Sequence, residues 1–186
     1  TPHIGYPEKL PETYAKKIID DSLSLVENAQ NLAKISIAHS WSKWNKPVDR
    51  SEWHMPAHMV NAYYDPQQNQ IVFPAAILQA PCYSLEQSSS ANYGGIGAVI
   101  AHEISHAFDN NGARFDEFGN MNNWWLDEDF KAFEAKQALM IAEFDGLELA
   151  GAKVNGQLVV SENIADAGGL TAAMTAALRE PDADLR

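Results

Sequence analysis

The sequence predicts a mainly α-helical chain carrying small β-hairpins, an α+β arrangement. Two stretches repeat apolar residues at helical spacing: Tyr14, Ile18, Leu25, Ala29 and Leu32, then Leu126, Phe130, Phe133, Met140, Ile141 and Phe144. A third stretch, from about residue 93 to 108, is apolar and glycine-rich at its start. Between these lie short alternating runs joined by turn residues, the pattern of hairpins rather than of a large sheet.

In order along the chain, the first eleven residues contain Pro2, Pro7 and Pro11 and are expected to be irregular. Helix is expected from about 12 to 39, with one buried stripe and no chemistry of its own. Trp41, Trp44 and Trp53 follow around Pro47, in a loop expected to pack on its own aromatics. His54 and His58 are four apart but separated by Pro56, so packing or exposure is the better reading than a metal pair. Residues 61–64 and 70–73 form the arms of a hairpin across the turn Asp65-Pro66-Gln67-Gln68-Asn69, and Pro74 marks an edge or a strand end. Such an edge either is covered or accepts an extended peptide as an added strand.

Gly94, Gly95 and Gly97 each cost a helix about 1 kcal/mol relative to alanine, which points to close backbone packing at the start of the third helix. That helix is expected to stop at Asn110-Asn111-Gly112. Asp109, in its last turn, opposes the helix dipole, and either pairs with a group such as Arg114 or is a plain surface carboxylate. After a turn-rich connector, Asp127, Glu128 and Asp129 suit the N-terminus of the next helix. Asn155-Gly156 reads as a tight hairpin turn, and Ser161 as the N-cap of a final helix. No repeat or linker divides the chain, so residues 1–186 are expected to form one domain.

The composition bounds the function. With 186 residues, 46% hydrophobic and 20% charged, this is a globular composition. A net charge of −12 argues against nucleic acid and anionic membrane surfaces as partners. No apolar run reaches the roughly 18 residues of a membrane span, and no signal-peptide pattern opens the chain. The single Cys82 excludes an internal disulfide framework, which suits a reducing compartment; the cytoplasm is the expectation.

The chemistry concentrates at His102-Glu103-Ile104-Ser105-His106, an HExxH motif. Helical residues four apart lie only about 40° off one line, so both imidazoles leave one face and can share a zinc ion. Glu103 flanks that position and can take a proton from water. A catalytic zinc needs a third protein ligand. The metzincin pattern would require glycine at 109 and histidine at 112, where this chain has Asp109 and Gly112. No histidine follows His106, so a downstream third ligand must be a carboxylate. Glu162 is the best candidate. Asp166, four residues later on the same face, is placed to accept the far N–H of a liganding histidine. As a mere solvated pair, Glu162 and Asp166 would repel.

VNAYY at 60–64, IVFPAAILQ at 71–79, NYGGIGAVIAHEISHAFD at 92–109, the Trp pair 124–125, and VNG with SENIAD between 154 and 166 together resemble the neprilysin family of zinc metallopeptidases, in particular its bacterial oligopeptidases. The resemblance runs from about residue 4 to 178. It implies a thermolysin-like (gluzincin) catalytic region that hydrolyses oligopeptides with one Zn²⁺ per chain. By resemblance, His102, His106 and Glu162 bind zinc, Glu103 is the general base and Asp166 orients His102. Asn61 and Ala62 would hold the substrate backbone, and Ile77, Cys82, Ala98 and Val99 would line the pocket for the residue after the scissile bond. Cys82 stands where family members carry an aromatic, so the shape of that wall does not carry over. The family also places an oxyanion-stabilising histidine and a substrate-gripping arginine beyond the SENIAD helix. Here no histidine follows His106, and Arg179 and Arg186 sit in no matching motif. The expectation is therefore part of the catalytic domain of a larger peptidase, lacking an N-terminal lobe and an extreme C-terminal segment, with the remainder of the same polypeptide as its partner. A zinc-binding but catalytically incomplete piece, or a peptide-binding module, remain the alternative readings.

Overall fold

A computed structural model describes residues 1–181; Arg186 lies outside the described residues. The chain divides into two units, one of residues 1–6 and 55–186, the other of residues 7–54.

The smaller unit is built on helix α1, Leu25–Ser42. The helix starts well after the expected residue 12, because Ser24 closes a capping box: its hydroxyl accepts from Glu27 N–H while the Glu27 carboxylate accepts from Ser24 N–H. Upstream, only a 3₁₀ turn at Tyr14–Lys16 is helical. Asn28 is buried and holds the Asp20 backbone from both sides of its amide. Trp41 belongs to the helix rather than to a loop, and its ring lies 6.0 Å from that of Trp44. Glu52 accepts from Lys43 Nζ at 2.5 Å and contacts His39 Nε2 at 2.9 Å.

In the larger unit, strand β1 (Pro2–Gly5) pairs parallel with β3 (Gln70–Pro74), which pairs antiparallel with β2 (Tyr63–Asp65). The expected hairpin is present. One expectation is corrected, in that the first residues form a strand; Pro74 marks a strand end, as one of the two expected readings had it, β3 being the central strand and β2 lying at the edge. Ala62, Phe73, Ile77 and Ile96 form the buried cluster beneath the sheet.

The helical run from 89 to 108 is continuous in direction but not in pitch. It comprises α2 (Ser89–Asn92), a π-turn over Tyr93–Gly97, α3 (Ala98–Ser105) and a 3₁₀ turn over His106–Phe108. The close packing expected at its start is there. Ile96 N–H donates to the Cys82 carbonyl at 2.7 Å, and a Cβ on Gly95 would lie 2.3 Å from that oxygen. The helix ends at Phe108, before the expected Asn-Asn-Gly cap, because Asp109 is extended and a separate 3₁₀ turn starts at Gly112.

Helix α4 spans Asp127–Phe144 as expected, its first turn carrying Asp127, Glu128 and Asp129. A two-residue-per-arm hairpin follows, β4 (Glu148–Leu149) with β5 (Ala152–Lys153), turning through Ala150 and Gly151 at positive φ. Asn155-Gly156 is not a hairpin turn. Asn155 caps helix α5, Gly156–Ala177, by accepting from Leu158 N–H, so Ser161 lies inside the helix rather than at its start. α5 packs along α3 and against α4. No helix among the described residues is long and apolar enough to cross a membrane.

Candidate metal centre

The site forms where α3 and α5 lie side by side. Gly169 makes their approach possible: a Cβ there would lie 2.7 Å from His102 N and 2.9 Å from the Ala98 carbonyl. With that separation, the 162 and 166 side chains on α5 reach the face of α3 that carries both histidines.

His102 Nε2 and His106 Nε2 are 3.0 Å apart, and Glu162 Oε2 lies 3.4 Å from the first and 3.7 Å from the second. Donors held tetrahedrally around zinc by bonds of about 2.0–2.1 Å would sit about 3.3 Å from one another. The three separations bracket that figure, so the donor set fits one such ion. Among the described residues, no other group of three histidine, cysteine or carboxylate side chains lies so close, and His54 and His58 gain no third ligand.

Each histidine is turned by a carboxylate on its other nitrogen. Asp166 Oδ1 lies 2.8 Å from His102 Nδ1, the arrangement expected from the sequence. His106 Nδ1 has a partner that sequence reasoning missed: Asp109 Oδ2, also at 2.8 Å. Asp109 is neither a surface group nor a partner of Arg114. It is buried, and its two oxygens accept from His106, from the Ser161 hydroxyl, and from the N–H groups of Asn111 (2.7 Å) and Gly112 (2.8 Å). Burial works against its charge, but these four donors outweigh burial and hold its pKa below the usual carboxylate value. For His106, burial disfavours the charged ring, and Asp109, with Glu162 and Glu103, reverses that and raises its pKa. The i,i+3 spacing from His106 was the available signal for Asp109.

Glu103 is only 5% exposed. Burial is the main cause of its raised pKa, with the nearby Glu162 adding to it; His106, His102 and the Tyr64 N–H act the other way. A cleft of about 380 Å³ opens at the site, lined by Asn61, Ala62 and Tyr64 together with Glu103 and the three candidate donors His102, His106 and Glu162. Asn61 Oδ1 accepts from Ala62 N–H at 2.9 Å, fixing the backbone just before edge strand β2. A second cavity of about 520 Å³ adjoins it, walled by Ile77, Ala98, Val99 and also Leu170. Cys82 does not line this cavity; it packs behind it, against the buried cluster that includes Ile77.

A model of peptidase family M13 matches residues 61–184. The neutral endopeptidase of Lactococcus lactis subsp. cremoris is 64% identical over 186 residues, covering 100% of this chain and 30% of that protein. The crystal structure of PepO from Lactobacillus rhamnosis HN001 (DR20) superposes with a TM-score of 0.88 at 45% identity, over 98% of this chain and 29% of that one. Mycobacterium tuberculosis zinc metalloprotease Zmp1, in complex with inhibitor, gives 0.85 at 40% identity, over 95% and 28%. The chain thus spans about 30% of the length of the curated relatives it matches. With this kinship and a His–His–Glu donor set of fitting dimensions, the metal of the site is zinc. The matched segment holds the HExxH helix, the Glu162 helix and the strand that walls the cleft, and on that basis the chain belongs to peptidase family M13, the neprilysin family.

Proposed function

We propose that the chain carries the zinc centre and base of an endopeptidase that hydrolyses oligopeptides. The observation that carries this reading is the placement of buried Glu103 beside three donor atoms that fit one ion, at the floor of a cleft bounded by a strand edge. His102, His106 and Glu162 would hold zinc, which when bound supplies a Lewis acid that polarises a peptide carbonyl and acidifies water. An extended peptide lies along Asn61 and Ala62, held by backbone hydrogen bonds as an added strand. The side chain after the scissile bond enters the apolar cavity of Ile77, Ala98, Val99 and Leu170, with Cys82 behind it. Glu103 accepts a proton as water oxygen bonds to the carbonyl carbon, then hands that proton to the amine nitrogen as the C–N bond breaks. Asp166 and Asp109 orient the two imidazoles and keep Nε2 of each free for the metal.

In the full-length protein, Glu103→Gln is expected to keep its zinc and lose peptide cleavage by on the order of 10²–10⁴-fold. Normal turnover by that variant would remove Glu103 from the role of base.

A further inference from the structure

Ser161 stands one residue before Glu162, inside α5. Hydroxyls within the helices of this protein usually turn back on their own backbone. Ser40, Ser105, Thr171 and Thr175 each donate to the carbonyl four residues earlier. The Ser161 hydroxyl instead crosses to Asp109 and donates to Oδ2, the same oxygen that faces His106 Nδ1. Asp109 Oδ1 is already held by two backbone N–H groups of the loop after the HExxH helix. One buried carboxylate therefore joins three pieces: the helix carrying His106, the loop at 111–112, and the helix turn carrying Glu162.

We propose that Ser161 is a positioning residue for the metal centre. Through Asp109 it sets the register of α5 against His106, so that Glu162 Oε2 stands within reach of both histidine Nε2 atoms before any metal arrives. Without the hydroxyl, α5 keeps its cap at Asn155 and its packing on α3, but Glu162 loses its tie to the second histidine. Asp109 in turn loses one of the donors that hold it against the imidazole. This inference rests on the zinc reading above.

The test compares zinc affinity, by competition with a chromophoric chelator, and the unfolding temperature of the zinc-free form, both in the full-length protein. Ser161→Ala should bind zinc about tenfold more weakly, the lower end of what loss of a ligand's supporting partner causes, with the zinc-free form still unfolding in one cooperative transition at a modestly lower temperature because buried Asp109 loses a donor. Ser161→Thr, which keeps the hydroxyl, should restore parental affinity. In an Asp109→Asn background, adding Ser161→Ala should cost nothing further, because the two act through one contact. Parental affinity in Ser161→Ala overturns the proposal, whether or not its unfolding temperature falls. So do a Ser161→Thr variant as weak as the alanine and fully additive losses with Asp109→Asn. Failure of the parent protein itself to bind zinc overturns the metal reading, and the inference with it.

Discussion

The two histidines of the metal centre are supported at the same distance by very different carboxylates. His102 leans on Asp166, whose side chain is 75% exposed and makes one contact at 2.8 Å. His106 leans on Asp109, whose side chain is 2% exposed and is gripped by four donors. A hydrogen bond at an exposed carboxylate competes with water and is worth little net, whereas a buried carboxylate stripped of a partner pays a desolvation penalty it cannot recover from solvent. Equal distances therefore conceal unequal stiffness. The His106 side is held chiefly by its own loop, with one donor from α5; the His102 side depends wholly on how α5 is seated.

The seating itself is where the largest effect is expected. Gly169→Ala would place a methyl carbon 2.7 Å from His102 N and 2.9 Å from the Ala98 carbonyl. Alanine is the better helix former, but this contact is with backbone that cannot yield, so α5 should move away and carry Glu162 and Asp166 with it. We expect zinc content to fall to near zero by elemental analysis, and a loss of about 1–3 kcal/mol by chemical unfolding. Full zinc retention would show that the helices do not set the site together. Next come the two supports themselves. Asp109→Asn should weaken zinc about 100-fold and Asp166→Asn about tenfold, the two ends of the range for such partners. Equal losses in a chelator competition would break the comparison between them.

The smallest effect is in protons. Burial opposes a charge on His106, Asp109 and the nearby glutamates overcome it, and the net pKa is raised. In the zinc-free protein the His106–Asp109 pair thus adds stability below the unfolded imidazole value of about 6.5 and loses it as pH rises through the raised folded value. Zinc needs the neutral ring, so its binding strengthens over that same rise and releases a proton within the window. Calorimetry in buffers of different ionisation heat should detect that release, and Asp109→Asn should diminish it.

Much of the site could be read from residue order. HExxH places two imidazoles on one helical face whatever surrounds them, and the carboxylate expected beside them, Glu162, comes within 3.4 and 3.7 Å of their Nε2 atoms. Asp109 escaped because the helix-dipole argument treats the last turn as an isolated object, while its real environment is a buried pocket containing Ser161, far along the chain. The fold shows the same division. Ser24 and Glu27 start α1 by a local capping box that was present in the sequence and overrode the apolar periodicity before it. Asn155-Gly156 carries turn chemistry and cap chemistry alike, and local rules could not choose between them. Packing chose: a Cβ on Gly156 would lie 2.3 Å from the Ile141 carbonyl of α4, and its N–H donates to Asp145 Oδ1.

Sequence alone determined what obeys a short period: the helical run of α4, the 61–73 hairpin, the face shared by His102 and His106, and the residue types able to hold zinc. Those follow from backbone geometry repeated every few residues. The buried stripe expected on the first helix is absent, Leu25 being 85% exposed. Tertiary structure alone decided that β3 is central, that α5 begins at Gly156, and that a buried Asp109 links His106 to Ser161. Each of these depends on groups distant in sequence excluding water together, and no local pattern records which distant groups those will be.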